Sequence, residues 1–382
     1  MLAVVLSGGG AKGAYEAGVW KALKKLRIKY DIVTGTSIGA LNGMMFVQNS
    51  YFNCMKMWKK IDFNTIFDDF NVDNNMYKEY FDKMLKGGIE TTKIEKIINN
   101  VYKPKRLYRS RKKFGVIAYN LTTKSVLFAT KEDIKPDKLQ KYILASATCF
   151  PVFKPLDIDN NLFVDGGYYD NLPINMAIDM GATEVIAVDL KAVGLRKKPK
   201  DKNIPITYIT PNNKLDSFLK FDKESSIKMI KLGYNDTMKK FNKLEGNLYT
   251  FKKDTLSKIN EYKLHDMLNS KNVKKNDKLT IIENTMKIFN LDETKIYSLK
   301  TLNKDLLKAF DKVENINIKE FDVNNIKKIF KRDVITKYIY TKLKNNDTIN
   351  YTVFSFFSKE IAAAVYLLSI RSWIYEKNIN WY

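Results

Sequence analysis

Short runs of consecutive apolar residues alternate with longer segments of helical period through about the first 210 positions of the chain. The runs are Ala3–Leu6, Asp31–Thr34, Phe114–Asn120, Glu184–Leu190 and Ile204–Thr210, and several are apolar throughout. Continuous runs of this length predict strands covered on both faces. Between the first two, Val19, Leu23 and Leu26 recur at i, i+4 and i+7 with Lys21, Lys24 and Lys25 between them, which predicts an amphipathic helix. Pro136 opens a second helical pattern through Leu139, Ile143 and Leu144 that stops before Pro151. Strands alternating with helices predict an α/β fold, a mostly parallel central sheet with helices on both faces.

Beyond Pro211 the pattern changes to long Lys/Asn-rich stretches with helix-period Ile, Leu, Met and Phe, and no glycine follows Gly246. A chain of 382 residues favours two domains. The change of character puts their boundary near residues 243–255, giving an α/β domain over 1–250 and a helical C-terminal domain over 251–382. The most apolar late stretch, Val353–Ile370 with Trp373 and Trp381 nearby, is broken by Lys359 and Glu360. It therefore predicts a buried or interfacial helix rather than a membrane span. The opening Met1-Leu2-Ala3-Val4-Val5-Leu6 reads as a strand and lacks the basic and apolar regions of a secretory signal. Two cysteines, Cys54 and Cys149, are too few for a disulfide framework and have no metal-ligand spacing. A cytoplasmic protein with peripheral membrane contact and no metal is the expectation.

Charge is uneven. Residues 1–190 hold 27 Lys and Arg against 20 Asp and Glu, a net of +7, while residues 191–382 hold 39 against 22, a net of +17. The run Lys103–Lys113 packs seven basic residues into eleven. Such charge suits an anionic lipid surface or a nucleic acid, although most basic runs are solvated loops.

Three segments carry candidate chemistry. Gly8-Gly9-Gly10-Ala11-Lys12-Gly13 follows the first strand and opens the Ala14–Leu26 helix. Glycines there let backbone N–H groups approach a ligand, and the helix N-terminus adds a positive dipole end. The segment also satisfies the dinucleotide pattern G-x-G-x-x-G, which by itself discriminates poorly. That pattern expects an acidic residue at the end of the second strand, and the second strand ends instead in Gly35-Thr36-Ser37-Ile38-Gly39.

This pentapeptide has the form G-x-S-x-G, in which small neighbours let a serine sit on a strained strand-to-helix turn. Taken alone it could equally be a capped turn; a strand before it and a helix over Ala40–Val47 after it favour the nucleophile. The third segment, Asp165-Gly166-Gly167, follows the apolar run Leu162-Phe163-Val164. In isolation it reads as an ordinary Asp-Gly turn.

In combination and order, the three segments resemble the signature motifs of the patatin-like phospholipase family. Ala145-Ser146-Ala147-Thr148, Pro151, Phe153, Pro155, Asn171-Leu172-Pro173 and Gly181-Ala182-Thr183 are similar to its connecting stretches, so the resemblance spans roughly residues 1–210. It implies hydrolysis of lipid carboxylic esters, of the phospholipase A or lysophospholipase type, by a Ser37–Asp165 dyad through an acyl-enzyme. It also implies an oxyanion hole from Gly8, Gly9, Gly10, Ala11, Lys12 and Gly13, and an ester-lipid substrate at an anionic membrane, without cofactor or nucleic acid. Lys12 occupies the family's basic position in the loop.

Because an unperturbed aspartate is a poor base near neutrality, the Asp165 site should be dry enough to raise its pKa. Two alternatives remain at this stage: a dinucleotide-binding protein using Gly8–Gly13, and a Ser–His–Asp esterase using His265, the only histidine.

Overall fold

The computed structural model describes residues 1–67, 85, 87–269, 277–314, 331–347 and 355–376. They form two compact units, Met1–Lys240 and Phe241–Tyr382.

In the first unit, β1 (Leu2–Leu6) leads through a glycine turn into α1 (Gly13–Lys25), and β2 (Ile32–Thr36) leads directly into α2 (Ile38–Val47). After further helices come β3 (Lys113–Asn120), β4 (Ser125–Thr130), α3 (Pro136–Ser146), β5 (Leu156–Ile158), β6 (Asn161–Asp165), β7 (Glu184–Val188), β8 (Ile206–Ile209) and α4 (Lys223–Lys240). Strands β3, β2, β1, β7 and β8 run parallel in that order, and β4, β5 and β6 join antiparallel to complete an eight-stranded sheet.

The central strands are apolar throughout because both faces are covered. Ala3, Val5, Val185 and Ala187 pack with Leu172, Ile174 and Ala177 on one face, while Leu6, Val33 and Phe114 surround Gly43 of α2 on the other. The α/β architecture read from the sequence is therefore present.

The register of β3 positions the site. One edge of β3 pairs with β4 from Gly115 to Asn120. The opposite edge is shared: β2 occupies it as far as Thr36 opposite Ile117, and β6 takes over with Asp165 opposite Ala118. The chain ends of two distant strands thus meet at consecutive positions along one edge. Strand β6 itself belongs to a hairpin with β5, closed by Asp159 and Asn160, both at positive φ (53° and 61°), the two-residue geometry that matches strand twist.

The second unit is mainly helical, built around a core that includes Phe251, Ile282, Leu306, Ile339 and Tyr366. It also carries a three-stranded sheet of Leu244–Glu245, Thr250–Lys252 and Ile296–Tyr297. Of the late apolar stretch, Ser358–Glu376 is helical and Ile361–Leu367 is buried on every side. Val353 and Trp381 lie outside the described residues. Among the described residues no helix is long and apolar enough to cross a membrane. The basic run is not a loop: Pro104–Arg109 is a helix, and Lys113 begins β3.

Candidate active site

Ser37 is the single residue between β2 and α2, held at φ 56° and ψ −128°. A non-glycine residue there stores strain of order 1–3 kcal/mol, so its neighbours must enforce it. A Cβ on Gly35 would meet the Gly39 carbonyl oxygen at 2.3 Å, and one on Gly39 would meet that of Leu6 at 2.4 Å. Only glycine on both sides lets strand and helix close this tightly. The turn is pinned by two further bonds. The Ser37 N–H donates to Ser146 Oγ at 2.9 Å, and the Thr36 hydroxyl donates to the Asp170 carbonyl at 2.8 Å. Ile38 follows as the first residue of α2.

Asp165 arrives at the end of β6. Its N–H donates to the Thr148 carbonyl at 2.9 Å, and its Oδ1 accepts from the Gly167 N–H at 2.7 Å, capping the Gly166–Tyr168 turn. The Ser37 side chain lies close enough to the same carboxylate to act on its pKa. Ser37 is 8% exposed and Asp165 5%. Burial pushes the Asp165 carboxyl up to about 6, against the downward pull of the Ser37 and Gly167 hydrogen bonds.

The glycine loop lies against this pair: a Cβ on Gly8 would sit 3.0 Å from the Ser37 Cβ. The Gly8 N–H is already committed to the Asn171 carbonyl at 3.1 Å, and the Ala11 N–H to Phe218 at 2.8 Å. Lys12 N–H donates to the Gly9 carbonyl at 3.1 Å within the Gly10–Lys12 turn, and Gly13 begins α1. Among the described residues the Gly9 and Gly10 amides have no hydrogen-bond acceptor. Lys12 is partly buried, which lowers its ammonium below the ordinary value.

Under the loop, Glu16 is fully buried and its carboxyl is pushed well above the usual range by burial. Its Oε2 accepts from Asn42 Nδ2 at 2.8 Å, which also donates to the Gly13 carbonyl at 3.0 Å, while Asn42 Oδ1 accepts from Trp58 Nε1 at 3.0 Å. This network ties α1, which the loop opens, to α2, which the serine opens.

Several residues around the site gave no signal of their role in sequence. Ser146 and Asn171 fell in stretches similar to a known family, but nothing in them says that Ser146 holds the Ser37 amide or Asn171 the Gly8 amide. Asp170, buried and raised to about 6 chiefly by desolvation, accepts through Oδ1 from the N–H groups of Leu172 and Lys197 at 3.2 and 3.3 Å. His265 belongs to the second unit, on the helix Glu261–Asn269, where Nε2 faces Glu261 Oε1 at 3.4 Å. The second parallel strand ends in Thr36 and then the serine, without the acid that ribose binding would use.

A family model described as patatin-like phospholipase matches residues 4–178. Patatin-like phospholipase domain-containing protein 7 of Rattus norvegicus is 30% identical over 193 residues, covering 50% of this chain and 13% of that protein. Lysophospholipase NTE1 of Mycosarcoma maydis is 28% identical over 204 residues, covering 50% of this chain and 10% of that protein. The similarity thus spans only 10–13% of the length of these curated relatives. The crystal structure of VipD from Legionella pneumophila aligns over 97% of this chain and 91% of that chain, at a TM-score of 0.44 and 12% identity.

Proposed function

From the membership of residues 4–178 in the patatin-like phospholipase family, we propose that the protein hydrolyses carboxylic esters of membrane lipids through Ser37 and Asp165. The observation that carries the reading is the buried hydroxyl–carboxylate pair beside a glycine loop with two unengaged amides.

A serine hydroxyl needs a base in hydrogen-bond reach to become a useful nucleophile. Asp165 takes the proton as Ser37 Oγ forms its bond to the ester carbonyl carbon. The resulting oxyanion faces the N–H groups of Gly9 and Gly10, where losing one donor costs about 10²–10³ in rate. Collapse of the tetrahedral species breaks the ester C–O bond, and the proton held on Asp165 passes to the leaving alcohol. Water then attacks the acyl-serine, giving its proton to Asp165, and the fatty acid departs as Ser37 regains its proton. A carboxyl near 6 suits this two-way traffic, because a base is most effective when its pKa approaches the working pH. Gly35 and Gly39 hold the serine turn, and Gly166 and Gly167 hold the carboxylate turn.

The substrate side of the proposal is an ester-lipid of phospholipid or lysophospholipid type presented at an anionic membrane. The formal net charge of +24 supports peripheral contact with such a surface. Release of fatty acid from mixed phospholipid vesicles should be robust for the unmodified protein and absent for Ser37→Ala and Asp165→Asn. Retained turnover in Ser37→Ala would overturn the assignment.

A further inference from the structure

At the end of the sheet away from Ser37, a cavity of about 390 Å³ is lined by Lys24, Lys29, Arg111 and Lys112, with Trp20 and Tyr30 in its wall. It lies where the parallel strands begin. Asp31 precedes β2, and Lys112 precedes the residue of β3 that pairs with Ile32. Ser37 follows the opposite end of β2, so the five-residue strand, roughly 17 Å long at ~3.3 Å per residue, separates the two places.

The charges here are unbalanced. Asp31 is the only carboxylate in the lining, and its Oδ2 is engaged by the Leu2 N–H at 3.1 Å. Among the described residues none of the four cations is in a salt bridge, and the carboxylate acting on Lys112 is that of Asp31. Two are instead held over aromatic faces: Lys112 Nζ stands 4.9 Å from the centroid of the Tyr30 ring, and Lys24 Nζ stands 5.3 Å from that of Tyr51.

Sheltered lysines elsewhere in the unit are treated differently. Lys131 donates to the Ser110 carbonyl at 2.6 Å and faces Glu132, Lys113 donates to the Met180 carbonyl at 2.8 Å, and Lys239 pairs with Asp236 at 2.9 Å. Burial, and after it the neighbouring Lys24 charge, lower the Lys112 ammonium below its ordinary value, while Asp31 acts in the opposite sense. Lys24, Lys29 and Arg111 are exposed and Lys112 is half-buried, so the cavity presents four cations to solvent, and phosphate oxygens are the natural complement of clustered Lys and Arg.

We infer that this cavity, formed by Lys24, Lys29, Arg111 and Lys112 at the start of the parallel strands, is a binding site for a ligand carrying more than one phosphate group, separate from the ester-cleaving site. One phosphate would leave much of the volume empty and most of the cations unmatched. The same chemistry is offered by a soluble polyphosphate and by a lipid headgroup. The site stands independently of the hydrolase reading.

The test is calorimetric titration of the full chain with sodium tripolyphosphate, repeated with Lys24→Gln/Lys112→Gln and, should that pair fail to fold by circular dichroism, with Arg111→Gln. Lys198→Gln/Lys202→Gln, two exposed lysines outside the cavity, controls for general charge. Saturable binding that survives in the control and weakens at least about tenfold, or ~1.4 kcal/mol, in the cavity variants supports the site.

Sedimentation with phosphatidylcholine vesicles, with and without cardiolipin, separates the sources. Cardiolipin-dependent sedimentation that the cavity variants lose and tripolyphosphate blocks assigns the headgroup, whereas binding of tripolyphosphate alone assigns a free ligand. Equal weakening in cavity and control variants, or no saturable binding in either assay, overturns the proposal.

Discussion

Both units bury polar side chains, but they use them in opposite ways. In Phe241–Tyr382 the buried acids Glu283 and Glu360 and the buried Thr285 and Thr336 have partners, although among the described residues Asn303 Oδ1 and Tyr366 OH do not. Glu283 accepts from the N–H groups of Asn247 and Tyr249, Glu360 pairs with Arg332, and Thr285 and Thr336 donate to carbonyls one helical turn back. In Met1–Lys240 the buried acids Asp165 and Asp170 are both raised to about 6, and the first of them meets a strained serine. A buried acid whose pKa burial has raised is a candidate for reactivity, whereas one paired with a cation, as Glu360 is with Arg332, is scaffolding. The contrast marks the unit that carries the proposed chemistry.

The most severe way to probe that contrast is to remove the reactive pair. Asp165→Asn should lower fatty-acid release by about 10⁴-fold or more, and Ser37→Ala at least as much, as in other hydrolase dyads and triads. Circular dichroism of both variants should be unchanged.

A core truncation in the second unit should act on stability alone. Ile339→Ala, at a fully buried position, should cost about 2–5 kcal/mol by denaturant unfolding, while the apparent pKa of turnover stays where it was. A displaced pKa would break the division of labour.

Asp165→Asn should also be more stable than the unmodified protein at neutral pH. The folded carboxyl titrates near 6 and the unfolded one near its ordinary value, so between those values the folded state binds more protons. Stability therefore falls as pH rises across that window. The variant's advantage should be absent below about pH 4 and complete above about pH 6, at roughly 2–3 kcal/mol. Asp170 shifts the same way, so the unmodified protein should show a similar decline from both groups. Turnover should move oppositely, increasing through about pH 6 as Asp165 ionises.

The smallest expected effect is that of His265→Ala. Turnover should stay within about twofold, because in the proposed dyad Asp165 supplies the base; abolished turnover in a folded variant would revive the three-residue alternative.

Much of the fold was legible because the parallel strands are buried on both faces and so appear as unbroken apolar runs. Ala3–Leu6, Phe114–Asn120 and Glu184–Leu190 overlie β1, β3 and β7. Strand β4 was not read, although Val126-Leu127-Phe128-Ala129 is an apolar run; Ser125–Thr130 is an edge strand, mostly half-buried or exposed. The two- and three-residue strands of the second unit are too short to show any period.

At the site, Gly35-Thr36-Ser37-Ile38-Gly39 announced a strained turn locally. The meeting of Ser37 with Asp165 depends on how β2 and β6 divide one edge of β3, and no local pattern encodes the register between strands 128 positions apart. The same holds for the Gly8 amide. The motif suggested a free donor, but the Asn171 carbonyl that occupies it comes from the other end of the domain.

The Asp159–Asn160 turn begins six residues before Asp165, yet it sets the reading frame of the proposed base. Side chains alternate across a sheet, so adding one residue to this corner would push Asp165 toward the wrong side of the strand unless the bonds to β3 resist. Natural variation at that corner should therefore tolerate changes of residue far better than changes of length. A single-residue insertion there, assayed by fatty-acid release, should abolish the proposed activity without altering any of the proposed reacting groups.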